Sequence, residues 1–236
     1  MENIFSGRTF AVTGGFAGIG LAVVQSLIRL GAKVHAIDIA PSAPAELENH
    51  SSVFCTPNGN VSDIAVCKAF VDSIPGDIHG LVNCAGVSPF EDKLASYDLY
   101  RQIMEINVTG TWAMATEVIR RMLEQEQLQC AAGCGIFTTA EKSLGQGSII
   151  NVSSGGGFRG IPTKAVYCAS MTNTTLLNNV AQGEEAREKF INTAKGRIPM
   201  GRLAEPTDIA DCIVFLLSDA ASFITGQVLP VNGGTD

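Results

Sequence analysis

Short β-branched and apolar runs alternate along this chain with stretches of helical periodicity. Arg8 to Thr13 reads as a buried strand, and Gly18 to Leu30 as a helix that Gly31 closes. Lys33 to Asp38 is a second strand, followed by a Pro/Ala/Ser loop, and Ser52 to Cys55 a third. Ser62 is placed to cap a helix running to about Ile74, with Asp63 in its first turn. His79 to Asn83 makes a fourth strand, Leu99 to Gln125 contains a long helix, and Ser148 to Val152 makes a fifth strand. Strand–helix alternation joined by tight glycine turns predicts an α/β fold: one doubly wound parallel sheet of the Rossmann type, helices on both faces. No repeat or linker divides residues 1–236, so a single domain is expected. The segment 130–146 lacks periodicity and is rich in Gly, Thr and Ala, as a surface insertion would be.

Composition narrows the function without naming it. The formal net charge of −7 disfavours nucleic acid or an anionic membrane as partner. No apolar run reaches the roughly eighteen residues of a membrane span, and the N-terminus carries no signal-peptide pattern. Seven scattered cysteines form no metal-ligand spacing and suit small buried hydrophobes in a reducing cytoplasm.

The chemistry begins at Thr13-Gly14-Gly15-Phe16-Ala17-Gly18-Ile19-Gly20, between a predicted strand and a predicted helix. Gly14 permits the tight turn, Gly18 lets backbone approach a pyrophosphate, and Gly20 lets helix and strand pack closely. The helix N-terminus, through Gly18, Ile19 and Gly20, offers unpaired N–H groups to the phosphates. Asp38 ends the second strand, where a carboxylate accepts both ribose hydroxyls of NAD and repels the extra phosphate of NADP. No Arg or Lys follows Asp38 or lies in the glycine loop, so NAD is favoured over NADP.

Downstream, Asn60-Val61-Ser62-Asp63, Asn83-Cys84-Ala85-Gly86, Asn107-Val108-Thr109-Gly110, Asn151-Val152-Ser153-Ser154 and Tyr167-Cys168-Ala169-Ser170 follow in order. With the Gly14, Gly18, Gly20 spacing and a Ser thirteen residues before a Tyr, the chain resembles the classical short-chain dehydrogenases/reductases. The resemblance implies an NAD(H)-dependent exchange of a secondary alcohol and a ketone on a small molecule. Tyr167 would move the proton at the substrate oxygen, Ser154 would hydrogen-bond that oxygen, and Asn107 would hold a water of the proton relay. Asp63 would meet the adenine, while Asn83, Ala85 and Gly86 would line the adenine–ribose path. The resemblance also implies a homo-oligomer, tetramer or dimer, with 226–234 as the final strand and 183–194 as a substrate-covering helix. Which alcohol or ketone is served is not written in these motifs.

One departure stands out. The family places a lysine four residues after the Tyr, one helical turn on, and this chain has Met171 there. A free tyrosine titrates near pH 10, so at neutral pH roughly one in a thousand is phenolate. A neighbouring cation brings that proton into the working range. Lys164 lies ahead of the helix and is a poor substitute. Moreover, Met171-Thr172-Asn173-Thr174-Thr175-Leu176-Leu177 resembles the family segment that follows the sixth strand, with Thr174 as the residue that binds the nicotinamide carboxamide. On this reading a helix-plus-strand block of roughly thirty residues does not appear after Ser170. Either the chain is a shortened form, with Ser170 and Met171 at the roughly 3.8 Å of bonded neighbours, or the block stands between them and the two lie much farther apart; the longer separation is expected. The alternative function is a non-catalytic or weakly active nucleotide-binding relative that works through partners or assembly.

Overall fold

The computed structural model describes residues 3–91, 94–130, 142–157, 161, 163–171 and 198–235. Five parallel strands, β1 (Thr9–Thr13), β2 (Lys33–Ile37), β3 (Val53–Thr56), β4 (Gly80–Asn83) and β7 (Ser148–Asn151), form one sheet in the order β3-β2-β1-β4-β7. The order reverses at β1, and the registers Thr13↔Ile37 and Thr13↔Asn83 bring the C-terminal ends of β2 and β4 level beside it. That edge is where an open α/β sheet leaves a crevice for a ligand.

Alternation along the strands sorts the core into two halves. In β1, Phe10 and Val12 pack to one side with Val23, Val24 and Leu27 of α1 (Gly18–Arg29) and Ile213 and Leu217 of a C-terminal helix. Ala11 points the other way, toward Phe70 of α3 (Ile64–Asp72) and Met114 and Val118 of α5 (Thr111–Leu123). In β4, Val82 and Leu81 divide in the same fashion. A strand buried on both faces has no polar side to show, which explains the unbroken apolar runs. Each such Val, Leu or Phe contributes about 1.5–3 kcal/mol when fully buried.

Helix ends follow their local chemistry. Gly31, at φ +87°, stops α1 in a conformation that disfavours side chains, and Ala32 N–H closes back on Leu27 O at 3.1 Å. Asp63, not Ser62, caps α3, with Oδ1 accepting from Ala65 N–H at 2.9 Å; the Ser62 hydroxyl instead donates to Asn60 Oδ1. The long helix is interrupted. It runs as α4 (Tyr97–Met104), a π-helical turn (Glu105–Gly110), then α5. A short α2 (Ala45–Glu48) lies inside the stretch expected to be loop, with α6 (Ala165–Ser170) and α7 (Pro206–Leu217) completing the described helices. At the start of α7, Glu205 and Asp208 form a reciprocal capping box, and the Arg202 guanidinium holds the Asp208 carboxyl down to about 2.

Two expectations about the second half of the chain need correction. No break separates Ser170 from Met171: Met171 N–H donates to Tyr167 O at 2.8 Å, as the next residue of the same helix does. Nor does 226–234 form a strand. It joins no ladder, and Val228 and Leu229 are exposed. The physical reason is the lack of a neighbour, since β7 is the last strand of the sheet among the described residues. The flanks of the 130–146 segment pair antiparallel as β5 (Gln129–Cys130) and β6 (Lys142–Ser143). The covering helix at 183–194 and Thr174 lie outside the described residues. Among those described, no helix is long and apolar enough to cross a membrane.

Candidate functional site

The glycine turn closes on itself at atomic contact. Gly14, at φ +64°, sits so near the turn after β4 that a Cβ on it would lie 2.9 Å from Ala85 Cα. A Cβ on Gly20 would lie 2.0 Å from Gly14 O. Gly18 differs: its φ is +53°, but a Cβ would meet nothing within 4 Å, so open space lies over the start of α1. Leu21 N–H is the first to close the helix, on Ala17 O at 3.1 Å, and no side chain caps the end. The N–H groups of Gly18, Ile19 and Gly20 are thus the helix's unsatisfied donors, with no acidic side chain in the first turn to compete for them. An anion such as a pyrophosphate suits that end.

Asp38 braces this turn. One carboxylate oxygen accepts from Phe16 N–H and the other from Ala40 N–H, both at 3.0 Å. On the facing side, the Thr13 hydroxyl oxygen accepts from Cys84 N–H and Ala85 N–H at 3.1 and 3.0 Å, drawing Ala85 and Gly86 against the glycine turn. Asn83 is buried and donates to Asn151 Oδ1 at 2.9 Å, linking β4 to β7, while its own Oδ1 is buried without a partner. Cys84, where a second Asn would stand, is enclosed enough that its thiol is pushed up to about 12. It acts as a small neutral filler. Asp63 is exposed with its carboxylate on the α3 cap. The turn, the open helix end and the carboxylate at the strand tip fit a dinucleotide.

Ser154 and Tyr167 meet across a glycine. A Cβ on Gly156 would lie 3.3 Å from Ile161 Cδ1 and 3.4 Å from both Ser154 Oγ and Tyr167 Cε1, so Ser154 and the edge of the Tyr167 ring both border Gly156. Ser154 Oγ accepts from Gly156 N–H at 3.1 Å, and Ser153 turns away to donate to Met171 O. Tyr167 is buried. Asn107 reaches them indirectly. Its amide donates to Ser170 Oγ at 2.9 Å and to Val87 O at 3.0 Å, and its oxygen accepts from Val87 N–H at 2.8 Å. The π-helical turn sets this aim, because Asn107 stands inside it.

Comparisons with known proteins identify the family. The family model described as short chain dehydrogenase matches residues 8–131, more than half of the chain. The chain belongs to the short-chain dehydrogenases/reductases. A second model, described as Enoyl-(Acyl carrier protein) reductase, matches residues 168–236. Among curated relatives, 2-(S)-hydroxypropyl-CoM dehydrogenase 3 of Xanthobacter autotrophicus is 32% identical over 99% of this chain and 98% of its own. Inactive 2-(S)-hydroxypropyl-CoM dehydrogenase 2 of the same organism is 29% identical over 90% of this chain and 98% of its own. The solved structure of 3-ketoacyl-(acyl-carrier-protein) reductase from Brucella melitensis, complexed with NADH, superposes with a TM-score of 0.76 at 25% identity, covering 98% of each chain.

Against that family the departure sits at α6. The first alignment runs over 258 residues, more than the 236 of this chain can fill, so the relative carries residues with no counterpart here. Met171 is buried at the end of α6 and supplies no charge to Tyr167. Lys164 does come near. It is the N-cap residue of α6, and its Nζ lies 5.9 Å from the Tyr167 ring centroid, over the ring. Burial pushes this ammonium below the usual lysine range, with Glu91 opposing the shift. No motif in the sequence marks Glu91. It is a buried carboxylate on the loop after β4, bonded to the first turn of α6. In sequence it opens the charged run Glu91-Asp92-Lys93, the pattern of a solvated loop, so nothing local signals its burial.

Proposed function

We propose that this chain is an NAD(H)-dependent oxidoreductase that interconverts a secondary alcohol and a ketone on a small molecule. The observation that carries the reading is that Ser154 and Tyr167 both border Gly156, just after β7, on the sheet edge that also carries the glycine turn. Tyr167 gives or takes the proton at the substrate oxygen, and Ser154 hydrogen-bonds the same oxygen. Asn107 supports both, holding the loop at Val87 and the helix at Ser170. Gly14, Gly18, Ile19 and Gly20 hold the pyrophosphate, Asp38 the ribose, Asp63 the adenine, and Thr174 the carboxamide. A bound nicotinamide supplies hydride exchange at the carbon bearing the reacting oxygen.

Preference for NAD over NADP follows from Asp38, whose carboxylate would confront a 2′-phosphate with no basic residue adjacent in sequence. Calorimetric titration should give at least tenfold tighter binding of NADH than NADPH, about 1.4 kcal/mol. Asp38→Ala should narrow that gap and weaken both, because the same carboxylate braces Phe16 and Ala40. Equal affinity of the unaltered protein for the two would end the assignment.

A homo-oligomer, dimer or tetramer, is supported by the outer face of α4 and α5. Tyr100, Val108, Trp112, Ile119 and Leu123 are exposed there at spacings near those of one helix face. Trp112 is the only tryptophan in the chain, so its emission reports this face directly. Blue-shifted emission that moves red on dilution, in step with a falling mass by light scattering, is the expected result. Emission of a fully hydrated tryptophan at every concentration would exclude this face from the interface.

A second reading rests on Met171. With no cation one turn after Tyr167, the chain would bind NAD(H) and turn over weakly or not at all, acting through partners or assembly. Micromolar NADH binding without turnover across a panel of secondary alcohols and ketones would select it.

A further inference from the structure

α6 is only six residues long and ends at Met171, so it has little helical stability of its own and depends on what grips it. The grip comes from the loop after β4. Val166 N–H donates to Glu91 Oε2 at 2.8 Å, and Tyr167 N–H donates to Glu91 Oε1 at 2.7 Å. Both carboxylate oxygens are therefore spent on the first turn of α6. Glu91 is 3% exposed, and a buried carboxylate is tolerated only where charge-assisted bonds replace its water. Lys164, equally buried, locks the same loop from the other side: its Nζ donates to Ser88 O at 2.9 Å and to Pro89 O. Asn107 fixes Val87 just before them. Val87, Ser88, Pro89 and Glu91 are thus all fastened to α6 or to the π-helical turn.

We propose that Glu91, assisted by Lys164, is a positioning residue for Tyr167. By holding the backbone N–H of Tyr167 itself, it sets where the phenol stands relative to Ser154. Among the described residues, the hold on the backbone of α6 is made at its first turn. The proposal rests on the reading of Tyr167 as the acid–base residue, but its test does not need turnover.

The full chain, labelled with [13Cζ]tyrosine, contains only three tyrosines, and the Tyr167 resonance is identified by its loss in Tyr167→Phe. Glu91→Gln keeps the size of the side chain but puts an NH2 against one of the two N–H donors. In Glu91→Gln and Glu91→Ala the Tyr167 resonance is expected to move or broaden, while NADH affinity stays within twofold. Lys164→Met should move it in the same sense. On a substrate that is turned over, kcat should fall at least tenfold with the KM for NAD unchanged. An unmoved Tyr167 resonance in Glu91→Gln, with only the melting temperature lowered, would reduce Glu91 to a helix cap and overturn the proposal. Equal losses in NADH affinity and kcat would overturn it as well. Should Glu91→Ala fail to fold, Glu91→Gln and Lys164→Met carry the decision. Full turnover by Tyr167→Phe would instead sink the acid–base reading and leave the positioning result standing.

Discussion

Tyr167→Phe is expected to lower turnover by about 10²–10⁴-fold, the range in which a positioned proton donor contributes, and to leave NADH affinity within twofold. The ring is buried, and phenylalanine fills the same space, so the fold should lose no more than about 1 kcal/mol from the missing hydroxyl. In the proposed role the hydroxyl acts on the substrate oxygen, so the effect should fall on kcat. Ser154→Ala should produce a smaller loss in the same parameter, since one hydrogen bond to the developing charge disappears while the proton route remains. The check is steady-state kinetics on any alcohol the protein accepts, with NADH affinity measured separately by calorimetry. A phenylalanine variant within threefold of the unaltered rate would place the proton transfer on another group.

Gly20→Ala should be the most damaging small substitution in the chain. The added methyl carbon would stand 2.0 Å from Gly14 O and 2.8 Å from Gly14 C, both backbone atoms of the turn that the helix leans on. No rotamer change relieves a clash with backbone, so α1 must shift away from the sheet. Overpacking of this kind costs about 3 kcal/mol or more. In a chain of this size that lowers the melting temperature by about 10 °C. Binding of NADH should be lost with it. Gly18→Ala is the informative contrast: a methyl there meets open space, so the cost is the strained φ of +53° alone, about 1–2 kcal/mol. That variant should fold, yet bind the dinucleotide poorly, because the methyl occupies the space over the helix end. Thermal unfolding and calorimetry on the pair separate the two effects. Unchanged NADH binding by Gly20→Ala would refute the packing argument.

The second half of the chain shows what a missing neighbour does to a sheet. Residues 226–234 carry an apolar run of the kind that pairs, yet they stay outside the sheet with Val228 and Leu229 exposed. A strand forms only where another offers its N–H and C=O groups in register, and β7 is followed by no such partner among the described residues. Propensity is local, whereas pairing is not.

Much of the cofactor half was legible in the residues alone. β1 and β4 announce themselves as short apolar runs because both of their faces are buried, and β2 does so less cleanly because His35 interrupts it. The glycine turn is readable because Gly14 and Gly18 adopt positive φ that other residues resist, and because Gly20 cannot carry a side chain. Asp38 is placed by the end of its own strand. The proposed catalytic pair, Ser154 and Tyr167, is marked by order and spacing, as is the absence of charge at Met171. Tertiary structure alone decided the rest. Glu91 lies 76 residues from Tyr167 in the chain, and no periodicity links a loop carboxylate to the N–H groups of a helix so far away. The same holds for Lys164 on Ser88 O and for Asn107 on Ser170. Local pattern records which face of an element is buried, but a buried charge is positioned by whichever distant donors the finished fold brings to it. For that reason the strands and the glycine turn were readable in sequence, and the clamp around Tyr167 only in three dimensions.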